Sequence, residues 1–255
     1  MSFDPAWEAK ARDWARFARS PEHDHFFWTF NGPRFLELIP SPGRLTLDVA
    51  CGEGRLGRLL RERGHRVIGV DASPTMARLA REAGGQHVVV GNASRLPIAS
   101  RMADLAVAFM SLQDIADLGA AVAEVARVLV VGGRFCIAIA HPIRSAGNFT
   151  SKQADSGFSL TSYFEPRPWP WRTQHTGLQL ELPGIHRPLE AYTAALERER
   201  FVIEAMREPQ PAPEQASIHP ESARWLRVPC FLHIRAVRTE AREDPLHPLG
   251  VVRRQ

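Results

Sequence analysis

The sequence predicts an α/β fold of the Rossmann-like type, with a mostly parallel sheet and helices on both faces. The main observation is residues 45–71, where an apolar run, a glycine turn, a helical repeat of leucines and a second apolar run follow one another. This order is typical of one βαβ unit. The second observation is that apolar runs and helical patterns keep alternating to about residue 140. Such alternation favours a parallel sheet.

The other elements follow from hydrophobic periodicity and from signals at the ends of helices. Helices are predicted over roughly 5–18, from Ser73-Pro74 to Gly84-Gly85, over 118–130 before Gly132-Gly133, and from residue 189 to about 200. Strands are predicted at 45–49, 67–71, 87–90, 103–110, 134–140, 201–206 and 228–237. The chain therefore has enough strands for one seven-stranded sheet.

The glycine turn in the first unit carries the chemistry. Gly52 and Gly54 let the backbone turn sharply and approach a ligand, and the amides at the start of the next helix can donate hydrogen bonds to it. Asp71 ends the second strand, where a carboxylate can accept both hydroxyls of a ribose. The segment therefore predicts a site for a nucleoside-bearing cofactor.

Two cofactor families fit this segment. Residues 52–57 match the dinucleotide pattern G-x-G-x-x-G, which leaves an NAD(P)-dependent oxidoreductase as an alternative. However, residues 47–54 (LDVACGEG) resemble motif I of class I S-adenosylmethionine (SAM)-dependent methyltransferases, and residues 68–76 (IGVDASPTM) resemble their second motif. Residues 91–97 (GNASRLP) resemble the G-D-A-x-x-L-P segment of that family, with Asn92 in place of aspartate.

This resemblance implies a class I methyltransferase fold whose last strand is antiparallel, of the methyltransferase-11 type. It implies SAM as cofactor and S-adenosylhomocysteine as product, with in-line transfer of a methyl group to an oxygen, nitrogen or carbon nucleophile. The residues that it assigns to the cofactor are Asp48, Ala50, Cys51, Gly52, Gly54, Asp71, Ala72, Met76, Asn92, Ala93, Met110 and Ser111.

For the methyl acceptor, the sequence offers aromatic and polar candidates near the predicted active-site face. The predicted substrate-binding residues are Phe26, Phe27, Trp28, Gln113, Asp114, Tyr163 and Phe164. Such rings suit a small aromatic or apolar metabolite of secondary or quinone metabolism. His141 and His186 are candidate general bases, because histidine can take a proton near neutral pH.

The predicted organisation has three parts: an N-terminal helical and aromatic lid (1–40), a SAM-binding domain (41–238) and a charged tail (239–255). Within the first part, the rings of Phe26, Phe27 and Trp28 are expected to form the lid over cofactor or acceptor. Within the domain, residues 143–185 break the α/β pattern with a proline-rich, aromatic stretch, which predicts an insertion that shapes the acceptor pocket.

Composition limits the other function classes. The formal charge is +4, but acidic and basic residues are interspersed, so nucleic-acid binding is not indicated, although a tRNA methyltransferase and a non-catalytic SAM-binding protein remain alternatives. The three cysteines lie far apart, which predicts no metal site. With no apolar signal or membrane-length run, we expect a cytoplasmic protein without membrane partners, either a monomer or a homodimer.

Overall fold

The computed structural model describes residues 5–84, 87–175, 177–218 and 220–240. The first half contains α1 (Pro5–Arg19), a π-helical turn (Phe27–Asn31), α2 (Gly32–Leu38), β1 (Thr46–Val49), α3 (Arg55–Glu62), β2 (Val67–Asp71), α4 (Pro74–Glu82), β3 (Val88–Val90), β4 (Ala103–Phe109), a 3-10 turn (Leu112–Asp114) and α5 (Leu118–Val128). The second half contains β5 (Leu129–Ala140), α6 (Pro142–Ala146), β6 (Gly147–Phe149), β7 (Phe158–Leu160), β8 (Arg167–Pro168), β9 (Trp171–His175), β10 (Leu178–Leu182), β11 (Ile185–His186), α7 (Leu189–Arg198), β12 (Phe201–Arg207), α8 (Pro213–Ile218), α9 (Pro220–Ala223), a 3-10 turn (Arg224–Leu226) and β13 (Phe231–Arg238).

The central sheet has seven strands in the order β3-β2-β1-β4-β5-β13-β12. The first five pair in parallel, whereas β13 pairs antiparallel with both of its neighbours, β5 and β12. The predicted seven-stranded sheet with an antiparallel last strand is therefore confirmed.

Helices cover both faces of the sheet because successive strand residues point to opposite sides. In β4, Leu105 and Val107 pack in one hydrophobic cluster, while Ala106 and Ala108 pack in another. The first cluster includes residues of α2 and α3, and the second includes residues of α5 and α7. The uninterrupted apolar character of β4 follows from this double coverage.

One predicted boundary is wrong. Helix α5 ends at Val128, and β5 begins at once, so Gly132 and Gly133 lie within the strand and do not end the helix. Gly132 has a φ of +78°, and a Cβ on Gly133 would lie 2.8 Å from the carbonyl oxygen of Val130. These glycines therefore allow a sharp bend in β5, where its pairing with β4 changes register.

The insertion folds as α6 followed by three two-stranded ribbons, which pair β6 with β7, β8 with β11 and β9 with β10. Leu178 and Leu180 of the last ribbon pack with Phe17, and Trp14 and Trp171 cover this cluster. The insertion thus rests against α1 at the N-terminus.

Some expectations concern residues outside this description. Gly85, proposed to help end α4, and most of the charged tail (241–255) lie outside the described residues, as do residues 1–4. Within the part of the chain that is described, no helix has the length and apolar character needed to cross a membrane.

Candidate functional site

A cavity of about 770 Å³ opens at the carboxyl ends of the parallel strands. This is the edge of an open α/β sheet where ligands bind. One part, which we call the glycine-loop wall, is lined by Asp48, Ala50–Glu53, Asp71, Ala72, Met76 and Gly91–Arg95. The other part, the composite wall, is lined by Pro5, Trp7, Trp14 and Ala18 of α1, by Asp114–Asp117 and by Pro183–Ile185. Met110 and Ser111 also line the cavity.

The turn after β1 owes its shape to left-handed backbone conformations. Gly52 and Gly54 have φ values of +57° and +82°, and Ala50 also has a positive φ of +52°. A Cβ on Gly54 would lie 2.9 Å from the Cβ of Ala80, so this glycine lets α4 pack close to the loop. Of the twelve predicted cofactor residues, Gly54 is the one that does not line the cavity.

Asp71 connects the turn to the second strand. Its Oδ2 accepts a hydrogen bond from the backbone amide of Gly52 at 2.7 Å, and its Oδ1 accepts one from the amide of Ser73 at 2.9 Å. Burial raises the pKa of Asp71 to about 6, although both amides oppose that rise. The carboxylate is therefore fixed in orientation at the cavity, with remaining lone pairs for hydroxyl donors.

Asp48 is the second buried acid of the glycine-loop wall and is only 2% exposed. Burial, and then the charge of Asp71, raise the pKa of Asp48 to about 7. Its Oδ2 has no hydrogen-bond partner among the described residues. This Oδ2 lies beside Gly57 of α3, but Asp48 also lines the cavity, so its carboxylate can accept a hydrogen bond from a ligand there.

The segment after β3 forms a tight turn at the cavity. Asn92 Oδ1 accepts a hydrogen bond from the amide of Ser94 at 2.8 Å, which leaves the side-chain NH2 of Asn92 to donate elsewhere. A Cβ on Gly91 would lie 2.6 Å from Cδ of Pro97, so glycine is required where the turn folds back. Asn92 can therefore recognise an adenine edge as a donor.

Helix α1 closes the cavity and is anchored on both sides of it. Glu8 accepts hydrogen bonds from the hydroxyl of Ser73 and, at 2.6 Å, from that of Thr75, at the start of α4. Arg19 pairs with the buried Glu53 at 2.7 Å. Sequence analysis placed a lid in residues 1–40 but assigned it to residues 26–28. The seven-residue spacing of Trp7 and Trp14 on one helix face was the available signal for the cavity-lining residues.

The predicted substrate residues are not gathered in one place. Asp114 lines the cavity, but Gln113 is buried behind it. Phe26 packs with Phe30 and Phe231 in a separate cluster, and Phe27 contacts Phe109, which does line the cavity. Trp28 and Phe164 are exposed, and Tyr163 accepts a hydrogen bond from the amide of Leu189. Of the seven predicted substrate residues, Asp114 is thus the one that lines the cavity.

The two candidate bases also lie outside the cavity lining. His186 is fully buried, and its ring nitrogens contact Ser145 Oγ at 2.7 Å and the carbonyl oxygen of Tyr163 at 2.8 Å. His141 accepts a hydrogen bond from the amide of Ile143 at 3.1 Å and contacts Glu208 at 3.0 Å. Burial lowers the pKa of both rings. Each therefore has partners within the protein at both nitrogens.

Comparison with known proteins identifies the domain around this cavity. Residues 47–137 match the family model described as "Methyltransferase domain". A malonyl-[acyl-carrier protein] O-methyltransferase of Serratia marcescens is 36% identical over 104 residues, covering 40% of this chain and 41% of that protein. A ubiquinone/menaquinone biosynthesis C-methyltransferase of Caulobacter vibrioides is 33% identical over 121 residues, covering 42% and 48%, respectively.

The fold is shared over a longer stretch. A SAM-dependent methyltransferase structure from Mesorhizobium loti matches with a TM-score of 0.70 and 25% identity, covering 87% of this chain and all of that one. By contrast, the chain spans less than half the length of the two curated relatives. The family match over residues 47–137 and the structural match support SAM as the cofactor, and the strand order is that of the class I SAM-dependent methyltransferase fold.

Proposed function

We propose that the protein transfers a methyl group from SAM to a small molecule bound in the same cavity. The observation that carries this proposal is the continuity of the cavity, which runs from the glycine-loop wall to the composite wall within one volume of about 770 Å³. Ligand pockets of about 300–1,000 Å³ are usual, so a volume near the upper end suits a cofactor together with a small partner.

The residues of the glycine-loop wall fit the cofactor. Asp71 would accept the ribose hydroxyls, Asn92 would donate to the adenine, and Asp48 with residues 50–52 would hold the methionine portion. When bound, SAM supplies a methyl group activated by the positive sulfonium, so little further activation is required from the protein. The main tasks of the chain are to orient the acceptor and to exclude water. Helix α1 would exclude water because its two tryptophans cover the cavity.

The acceptor that we propose is small and has an apolar or aromatic body. Apolar side chains from separate parts of the chain line the cavity, among them Trp7, Phe109, Ile115 and Ile185. The relatives named above are a malonyl-[acyl-carrier protein] O-methyltransferase and a ubiquinone/menaquinone biosynthesis C-methyltransferase. Because these two differ in substrate and in the atom methylated, they support the type of reaction and leave the acceptor open.

We also propose structural roles for His141 and His186. His141 caps the N-terminus of α6. His186 connects α6 to the insertion through its hydrogen bonds with Ser145 and Tyr163. A base must reach the proton that it removes, at about 2.6–3.2 Å or through one water. Neither ring lines the cavity, so a proton acceptor is better sought on the composite wall.

Transfer of an isotope-labelled methyl group tests this function. The purified protein is incubated with SAM labelled in its methyl group and with separate small-molecule and tRNA fractions of a cell extract. We expect label in a small molecule and equivalent formation of S-adenosylhomocysteine, both lost in Asp71→Ala. Label in the tRNA fraction alone, or SAM binding without any transfer, would contradict the proposal. Binding to tRNA should also weaken steeply with salt.

A further inference from the structure

One acidic side chain of the composite wall has only a weak hydrogen bond from the described residues, and it lies where the acceptor would bind. Asp114 ends the 3-10 turn after β4, and its amide donates to the carbonyl oxygen of Ser111 at 2.9 Å. The Asp114 side chain lines the cavity together with Gly184. Gly184 lies next to this carboxylate, since a Cβ there would be 3.4 Å from Oδ1 of Asp114.

The carboxylate of Asp114 is poorly satisfied within the described residues. Its Oδ2 has one weak hydrogen bond, from the side-chain amide of Gln113 at 3.4 Å, and its Oδ1 has none. The Oε1 of Gln113 is itself buried without a partner. Burial raises the pKa of Asp114 well above its usual value. Asp114 is half-buried at the cavity, so a bound acceptor can supply the donors that the protein does not.

The nearest cation does not neutralise this acid by a direct ion pair. Arg187 is 8% exposed, and its guanidinium donates to the carbonyl oxygens of Leu112, Ile115 and Ala116, at 3.3, 2.7 and 2.9 Å. These carbonyls flank Asp114 on both sides in the chain. Arg187 therefore fixes the backbone around Asp114 and lowers its pKa only through space, while the carboxylate stays available to the cavity.

We infer that Asp114 selects an acceptor that presents an O–H or N–H group, that is, an alcohol, a phenol or an amine. This inference rests on the proposed function and names the class of its substrate. Such a group donates to Oδ1 of Asp114 while the apolar body of the acceptor contacts the rings of the cavity. Because burial raises the pKa of Asp114, a donor is needed to hold the side chain in its ionised form. In that form Asp114 would repel a carboxylate, and a hydrocarbon would leave its oxygens unpaired.

The test uses the complex with S-adenosylhomocysteine and four naphthalene probes of similar shape. The probes are 2-naphthylmethanol, 2-naphthylmethylamine, 2-methylnaphthalene and 2-naphthoate, and their binding is followed by ligand-detected NMR. We expect the alcohol and the amine to bind at least about tenfold more tightly than the hydrocarbon, because one good hydrogen bond to an ionised group strengthens binding by more than about tenfold. At a pH at which Asp114 is ionised, the naphthoate should bind most weakly.

Three variants assign the effect to Asp114. Asp114→Leu should remove the preference for the alcohol and the amine, and Asp114→Asn should weaken the amine more than the alcohol because it removes the charge. Glu190→Gln, at an exposed acid on α7, serves as the control and should keep the wild-type order. Equal binding of alcohol and hydrocarbon, or an order unaffected by Asp114→Leu, would overturn the inference. Because binding of S-adenosylhomocysteine is measured first, failure of the proposed function would be seen separately.

Discussion

The two walls of the cavity are built in different ways. The glycine-loop wall comes from the ends of three neighbouring strands, and each of its parts is a short, local motif. The composite wall brings together α1, the turn after β4 and residues 183–185, which lie far apart in the chain. The wall with local motifs could be read from the sequence, whereas the composite wall depends on tertiary packing. We therefore expect mutations in the composite wall to change stability with little effect on SAM affinity.

The largest difference between the effect on stability and the effect on SAM affinity should come from Arg187→Met. This change removes three hydrogen bonds to the carbonyls around Asp114 and leaves those buried oxygens unpaired, so we expect a loss of about 3–5 kcal/mol in the free energy of unfolding. Affinity for SAM should change by less than about threefold, because Arg187 supports the composite wall only.

The measurements for Arg187→Met are chemical denaturation and calorimetry. Arg198→Met, at an exposed arginine at the end of α7, is the control and should lie within about 0.5 kcal/mol of wild type. Equal losses of unfolding free energy in Arg187→Met and Arg198→Met would contradict this prediction. A SAM affinity of Arg187→Met that falls together with its stability would show that the two walls are not independent.

An intermediate effect is expected at α1, which touches both walls. Trp14 stacks on Phe17, meets Trp7 and Trp171 edge-on, and lines the cavity near Gly52. Trp14→Ala should cost about 2–3 kcal/mol of stability and weaken SAM binding about tenfold. Trp28→Ala, in the stretch that sequence analysis took for the lid, should leave SAM affinity within about twofold. Reversal of these two results would restore residues 26–28 as the lid.

The remaining effect is a pH dependence of binding within the glycine-loop wall. The pKa of Asp48 is raised to about 7, so the free protein holds a proton there at lower pH. A ligand that donates to the Asp48 carboxylate requires the ionised form and releases that proton on binding. Affinity for S-adenosylhomocysteine should therefore rise with pH by up to about tenfold per unit below pH 7 and level off above it.

Calorimetry at several pH values, in buffers of different ionisation enthalpy, checks this dependence. In Asp48→Asn the step near pH 7 should disappear, although Asp71, with a pKa of about 6, leaves a contribution at lower pH. An affinity that does not change between pH 5.5 and 7.5 would show that the ligand does not contact an ionised Asp48.

The sequence predicted the fold and the glycine-loop wall because both depend on local patterns. Alternating apolar runs gave the strands, and the motif residues that end β1, β2 and β4 do meet at one cavity. The bend at Gly132-Gly133 was misread, since a glycine pair after a helix usually ends it, whereas here β5 starts first. Helix α2 and most strands of the insertion are too short to show a clear periodicity in the sequence. In β10 the strict alternation of residues 178–182 (LQLEL) was an available signal that sequence analysis did not use.

The acceptor side was harder to predict for a physical reason. Phe26, Tyr163 and Phe164 are aromatic and lie in segments next to the site, but a ring packs equally well in a core cluster or at a surface. His141 and His186 looked like bases, yet both have protein partners at each ring nitrogen. Neither burial nor hydrogen-bond partners of a single residue can be read from sequence alone.

The most direct test of the account is cofactor binding by the glycine-loop wall. Calorimetry with SAM, S-adenosylhomocysteine, NADH and NADPH should be performed on the wild type, Asp71→Ala and the surface control Glu37→Ala. We predict Kd values on the order of micromolar for SAM and its product, at least about tenfold weaker in Asp71→Ala and unchanged in Glu37→Ala. No binding of NADH or NADPH is expected. Binding of NADH or NADPH, with no response to SAM or S-adenosylhomocysteine, would contradict the account.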